Sequence, residues 1–252
     1  MRPELWRRLL AEFVGSALLA AVVVGSGIAA QNLSPDQTGL ELLENAAATA
    51  AGLFAIILMV GPVSGAHFNP VVSLVDAAFG GVSRRDVAAY VPAQVAGCIG
   101  GAILANLMFG ASAVSISTTH RASGAHWLAE VVATVGLLLV IFSLARSGRG
   151  HLAPAAVGAY IGAAYFFTSS TSFANPAITI GRMFSNSFAG IQPSSAPGYV
   201  VAQLAGGLVG YGLIRAFYPD VTAAEAAEVV VPHLNATDGS APHGRTPQPI
   251  ES

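Results

Sequence analysis

The sequence predicts an all-α integral membrane protein, with six transmembrane helices plus two re-entrant half-helices arranged as an inverted repeat. Three observations predict it. The chain is 54% hydrophobic and only 10% charged, with a mean hydropathy of +0.63, whereas a soluble domain carries about 25% charged residues. Six stretches approach the roughly 20 apolar residues that a spanning helix needs. Two further apolar stretches are about half that long, and each opens with Asn-Pro. So few charges cannot cover a water-facing surface, which makes lipid the solvent for most of the chain. The net charge of −2 gives no sign of a nucleic-acid partner.

The spans read, in order, Leu9–Ala30, Leu42–Val60, Val87–Phe109, Ala125–Ala145, Leu152–Ser170 and Gly198–Phe217. The first follows Arg7 and Arg8 and resembles a signal peptide, but its apolar run exceeds the roughly 7–15 residues of such a segment and similar runs follow. The half-length stretches lie near Pro70–Phe79 and Pro176–Phe184. As helices they rise about 15 Å, half of the hydrocarbon core.

The order of these elements repeats. Ala11-Glu12-Phe13-Val14 is echoed by Ala129-Glu130-Val131-Val132, and Phe68-Asn69-Pro70-Val71 by Ala174-Asn175-Pro176-Ala177. Tyr90-Val91-Pro92-Ala93-Gln94 is echoed by Tyr199-Val200-Val201-Ala202-Gln203. Each half holds three spans, an odd number, so the second half enters the bilayer from the opposite side. Inverted repeats of this kind place a shared site near the midplane, where broken helices meet.

Arginine sets the orientation. Arg2, Arg7 and Arg8 precede the first span, Arg84 and Arg85 follow the second, and Arg146 and Arg149 follow the fourth. The positive-inside rule then puts both termini in the cytoplasm, with Arg121 and Arg182 as outward-side exceptions. The membrane domain covers residues 1–218, with repeats at about 9–109 and 125–218. Residues 219–252 read as a largely disordered cytoplasmic tail, because their Pro, Ala, Ser, Gly and His content shows no sustained apolar period.

Asn is a strong helix N-cap, and Pro is favoured at the next position. Asn69-Pro70 and Asn175-Pro176 therefore open the two half-helices, and inversion brings their starts face to face. Each helix start carries about half a positive charge, so a cation is disfavoured between them. Each Asn amide offers donors to a passing oxygen. The approaches, Ser64-Gly65-Ala66-His67-Phe68 and Thr171-Ser172-Phe173-Ala174, run to the midplane without being helical throughout. Such backbone survives at membrane depth only when buried in protein or lining a watery cavity, where its carbonyls form a ladder of acceptors.

Glu12 and Glu130 sit inside spans one and four, where a carboxylate is functional by default. Their matched positions favour a scaffold role, accepting hydrogen bonds from the loop before each half-helix. Gln94 and Gln203 read as further anchors. Gly97, Gly101, Gly206 and Gly210 stand four apart within each pair, which lets helices cross closely. His67 is a pore-lining or a structural histidine. The lone Cys98 reads as a small buried hydrophobe, no Cys/His spacing suggests a metal, and no cofactor is implied.

Ser-Gly-Ala-His-Phe-Asn-Pro-Val at 64–71, with Asn-Pro-Ala at 175–177, resembles the aquaporin and aquaglyceroporin family over about Leu9 to Tyr218. The resemblance implies the aquaporin fold, a homotetramer in the plasma membrane with one pore per subunit, Asn69 and Asn175 as paired pore asparagines, and small neutral solutes as cargo. Pro70, Val71, Pro176 and Ala177 complete the paired motifs, with Val71 standing where the family usually has Ala. Counting from the two asparagines as the family aligns, the outer constriction comprises Thr49, Ala163, Ser172 and Ile178. Members usually carry Arg where Ile178 stands, so the resemblance implies a wide, weakly polar constriction. Arg182, one turn further on, replaces the missing charge at the vestibule or contacts an interface or lipid headgroup. The stretch 168–180 is similar to members linked to arsenic resistance, which adds arsenite and methylated arsenicals to water and glycerol as cargo. A strict water channel would need a narrower set of residues, and a coupled transporter would need ionisable groups free of scaffold duties.

Overall fold

The computed structural model describes residues 3–219; Arg2 and the tail beyond 219 lie outside the described residues. The helices are α1 (Leu5–Leu33), α2 (Thr38–Ser64), α3 (Pro70–Ala78), α4 (Arg84–Met108), α5 (Gly124–Arg146), α6 (Ala153–Phe167), α7 (Pro176–Gly181) and α8 (Ala196–Phe217). No strand occurs among the described residues. Serine hydroxyls start two of the long helices, Ser83 accepting from the Asp86 N–H and Ser123 from that of His126.

Helices α1, α2, α4, α5 and α8 are long and apolar enough to cross a membrane. Helix α6 departs from the expected span Leu152–Ser170. It holds 15 residues, a rise of about 22 Å, and gains length only from a 3-10 turn at Gly150–Leu152. It stops at Phe167 because Thr168 is extended, with φ −112° and ψ 136°. The Thr168 hydroxyl then donates to the Ala164 carbonyl at 2.6 Å, satisfying a terminal acceptor. The second half-helix is also shorter than expected: α7 ends at Gly181 and a 3-10 turn covers Arg182–Phe184.

The two halves pack alike. Helix α1 lies on α2 and α4, α5 lies on α6 and α8, α2 meets α6, and α3 meets α7. Glycine permits the closest crossings. A Cβ on Gly101 would stand 2.0 Å from the Ala17 carbonyl oxygen, and one on Gly206 would stand 2.8 Å from that of Val131. Outward faces carry large apolar side chains, among them Leu128, Val201 and Leu208. Charged and polar groups such as Glu12, Gln94, Glu130 and Gln203 are instead fully buried between helices.

Candidate functional site

Residues 65–69 lead into α3 and residues 171–175 into α7. Both segments place residues in the left-handed region at matched distances before the asparagine. The φ angles are 90°, 51° and 50° at Gly65, Ala66 and Phe68, and 60°, 48° and 49° at Thr171, Ser172 and Ala174. For a residue with a side chain this costs on the order of 1–3 kcal/mol each, so surrounding bonds must hold it.

Two buried carboxylates do so. Glu12 accepts from the backbone N–H groups of His67 (3.0 Å) and Phe68 (2.8 Å), from Ser64 Oγ (2.6 Å) and from Gln94 Nε2 (2.8 Å). Glu130 accepts from the N–H groups of Phe173 (2.9 Å) and Ala174 (2.8 Å) and from Gln203 Nε2 (2.6 Å). Each glutamine also reaches the half-helix, Gln94 donating to Ser73 Oγ at 3.0 Å and Gln203 to Thr179 Oγ1 at 2.9 Å.

The asparagines cap and cross-link at once. Asn69 Oδ1 accepts from the Val71 N–H, and Asn175 Oδ1 from those of Ala177 and Ile178. Asn69 Nδ2 donates to the Ala174 carbonyl and Asn175 Nδ2 to the Phe68 carbonyl, both at 2.7 Å. Each amide nitrogen carries two protons, so one remains for a passing acceptor. The Phe68 and Ala174 carbonyls each spend one lone pair on these bonds and keep a second.

Both asparagines line a cavity of about 60 Å³, room for a short file of waters at a minimum of about 10–15 Å³ each. Its walls are helical stripes spaced four apart: Leu19 and Val23 from α1, Thr49, Leu53 and Ile57 from α2, Leu137 and Ile141 from α5, and Val157, Ile161 and Tyr165 from α6. Ala66, His67, Phe68, Ser172, Phe173 and Ile178 also line it, whereas Gly65 and Ala174 do not. Pro70, Val71, Pro176 and Ala177 are buried, and Val71 packs toward Gly207, where a Cβ would stand 2.7 Å from its Cγ1.

Of the residues expected at the constriction, Thr49, Ser172 and Ile178 line the cavity and Ala163 does not. Ala163 is exposed on the outer face of α6. The inward stripe of that helix is Val157, Ile161 and Tyr165, and 163 does not fall on it. Tyr165 instead joins Thr49, Ser172 and Ile178, its hydroxyl 3.2 Å from Thr49 Oγ1. A phenol where a methyl was expected makes this level narrower and more polar. The four-residue stripe was the signal that could have found it.

Arg182 and Arg121 meet at Phe173. The Arg182 guanidinium carbon lies 3.4 Å from the ring centroid and that of Arg121 lies 5.5 Å away. Arg182 is 2% exposed, which excludes a headgroup contact, and Phe173 lines the cavity beside it. Arg182 Nε donates to the Ala189 carbonyl, and Arg121 donates to those of Gly190 (2.9 Å) and Phe188 (3.0 Å). Burial lowers the pKa of Arg121, in the loop between α4 and α5, from the ordinary value.

Two asparagine-capped half-helices crosslinked in the wall of one buried cavity find their counterpart among known proteins. Residues 1–172 and 168–241 match the family described as Major intrinsic protein. The chain belongs to the major intrinsic protein family. It is 50% identical over 212 residues, 84% of this chain and 90% of the relative, to the aquaglyceroporin AqpS of Rhizobium meliloti. It is 31% identical over 249 residues, 86% of this chain and 85% of the relative, to a glycerol uptake facilitator protein of Pseudomonas aeruginosa. The crystal structure of the aquaglyceroporin from Plasmodium falciparum superposes with a TM-score of 0.66 at 20% identity, over 86% of this chain and 98% of that one, and shows the same fold.

Proposed function

We propose that this chain is a passive channel for water and small neutral solutes of the glycerol class. The observation that carries the reading is the pair Asn69 and Asn175, which present spare amide protons to one enclosed, otherwise mostly apolar path. Donors fixed in an apolar wall favour molecules that exchange hydrogen bonds with little desolvation loss. The relatives named as an aquaglyceroporin and a glycerol uptake facilitator support the same class.

Glu12 and Glu130 act as the anchors of the two loops, and Arg182 acts on the outer mouth through the Phe173 ring. Ile178 removes the guanidinium that most members place there, so the outer level discriminates by hydroxyl groups and size. Undissociated arsenite and methylated arsenicals, which resemble small polyols, belong in this class of cargo. The chain works as a homotetramer in the plasma membrane, with both termini cytoplasmic on the side of Arg7, Arg8, Arg84 and Arg85.

Stopped-flow shrinkage of proteoliposomes in glycerol, urea and arsenite tests the reading. Wild-type channel speeds glycerol and arsenite entry, and Ile178→Arg slows both by tenfold or more while sparing water. Flux no faster than in empty vesicles rejects the channel. Unchanged solute flux in Ile178→Arg rejects the account of the outer level.

A further inference from the structure

We infer that Arg121, Arg182 and the Tyr199 hydroxyl form a binding site for a small soluble oxyanion of the phosphate type, beside the cavity and not in its wall. Phe173 lines the cavity, but neither arginine nor Tyr199 does, so the anion is a resident ligand and not cargo. The inference does not depend on the channel reading above.

The two guanidinium groups share the Phe173 ring, and Arg182 is almost fully buried. A buried arginine is ordinarily paired with a carboxylate. Among the described residues, neither arginine lies within ion-pair distance of one. Glu130 holds the Phe173 N–H, offsets at most one of the two charges, and has its oxygens engaged by Phe173, Ala174 and Gln203. The ring face and the loop carbonyls supply partial charges only. The pair therefore keeps a net positive charge where water screens poorly, and the two cations repel each other.

Donors remain for a ligand. Among the described residues Arg182 donates through Nε alone, which leaves its Nη protons. Arg121 donates to the loop through Nε and Nη2, which leaves Nη1. Tyr199 is fully buried, packs edge-on against Phe173 and stands beside Arg121, yet its hydroxyl makes no hydrogen bond. Its counterpart in the first half, Tyr90, donates to the Ser64 carbonyl at 2.9 Å. Buried hydroxyls are ordinarily paired, and one left open beside two guanidiniums without a carboxylate points to an anionic acceptor. Forked N–H groups and one O–H suit an oxyanion, which accepts at several oxygens, better than a halide. Both arginines belong to segments laced together, Ser117 N–H donating to the Met183 carbonyl at 2.9 Å and Gln192 N–H to that of Thr119 at 2.8 Å. Neither stands on a helix face turned to lipid, which favours a free anion over a phospholipid headgroup.

The test titrates full-length protein with inorganic phosphate in a neutral detergent, at fixed ionic strength and without phospholipid, and follows thermal unfolding. Wild type gains stability along a saturating curve that yields an apparent Kd. Arg121→Gln raises that Kd tenfold or more. Tyr199→Phe, which removes an oxygen that makes no bond within the protein, raises it about fivefold, the size of one hydrogen bond. Arg85→Gln, at an exposed arginine on α4, leaves it unchanged. General stabilisation by phosphate rises without saturating and is the same in every variant. That pattern overturns the inference, as does an unchanged Kd in Tyr199→Phe, which decides the matter where Arg121→Gln does not fold. A response to short-chain phosphatidic acid with none to phosphate assigns the site to a lipid headgroup and overturns the free anion.

Discussion

Segment 65–69 hangs from Glu12 and segment 171–175 from Glu130, yet the side chains carried by the two segments differ. In the first half, His67 packs edge-on against Tyr90 at 5.6 Å, shares a hydrogen bond with Ser73 Oγ and stands 3.6 Å from Asp76. In the second half, Phe173 packs edge-on against Tyr199 at 5.0 Å and carries the two arginines. Volumes are exchanged too. A Cβ on Gly15 would stand 2.0 Å from the Phe68 ring, while the matching pair, Ala133 and Ala174, consists of two fully buried methyls. The backbone and its carboxylate anchor are repeated. The side chain two residues before each asparagine is where one mouth acquires a histidine beside a carboxylate and the other an aromatic ring under guanidinium.

Removing the anchors tests how equal the halves are. Glu12→Ala and Glu130→Ala each orphan two buried backbone N–H groups, at about 1–3 kcal/mol apiece. Both variants lose water permeation, and thermal unfolding in detergent shows Glu12→Ala as the less stable, since the Ser64 hydroxyl proton loses its acceptor as well. A stable, conducting Glu130→Ala would break the comparison.

The helix crossings separate the halves next. Gly101→Ala drives a methyl into the backbone of α1, an overpacking cost of about 1–3 kcal/mol. At Gly210 the new methyl would meet the flexible end of Leu138 at 2.9 Å, so Gly210→Ala costs less. Unfolding temperatures of the two variants, measured side by side, fall in that order.

A finer contrast lies in the caps. Asn69→Ala and Asn175→Ala each remove a cap worth about 1 kcal/mol. Asn175→Ala is the more damaging because that side chain accepts from two N–H groups where Asn69 accepts from one. The smallest effect is expected at the ends. Arg8 pairs with Asp86 at 3.1 Å, and the matching residues in the second half, His126 and Ser195, hold no such pair. Arg8→Ala shifts stability by about 0–1 kcal/mol, less in high salt, as the same unfolding assay at two ionic strengths reads out.

Most of this architecture can be read from hydrophobic run lengths, because lipid demands long apolar helices and the half-length runs beginning with Asn-Pro have no other use. Helix α6 resisted that reading, since its apolar run ends at Phe167, where Thr168 leaves the helix, and its 15 residues fall short of the expected span. Glu12, Glu130 and both asparagines were legible through the repeat. Tyr165 was not, because counting back from Asn175 crosses the non-helical segment 168–175, whose length before α6 the sequence does not fix. The meeting of Arg121 and Arg182 at Phe173 joins residues far apart in the chain, and no local pattern announces it.

The paired asparagine donors join residues 105 and 107 positions apart. During synthesis, the first of these partners is inserted long before its complement leaves the ribosome. Until then the nascent protein carries an open amide at Asn69 and an open carbonyl at Phe68, and closing that ring must follow the arrival of Ala174 and Asn175. A truncated first half therefore lacks the groups that complete the centre of the molecule.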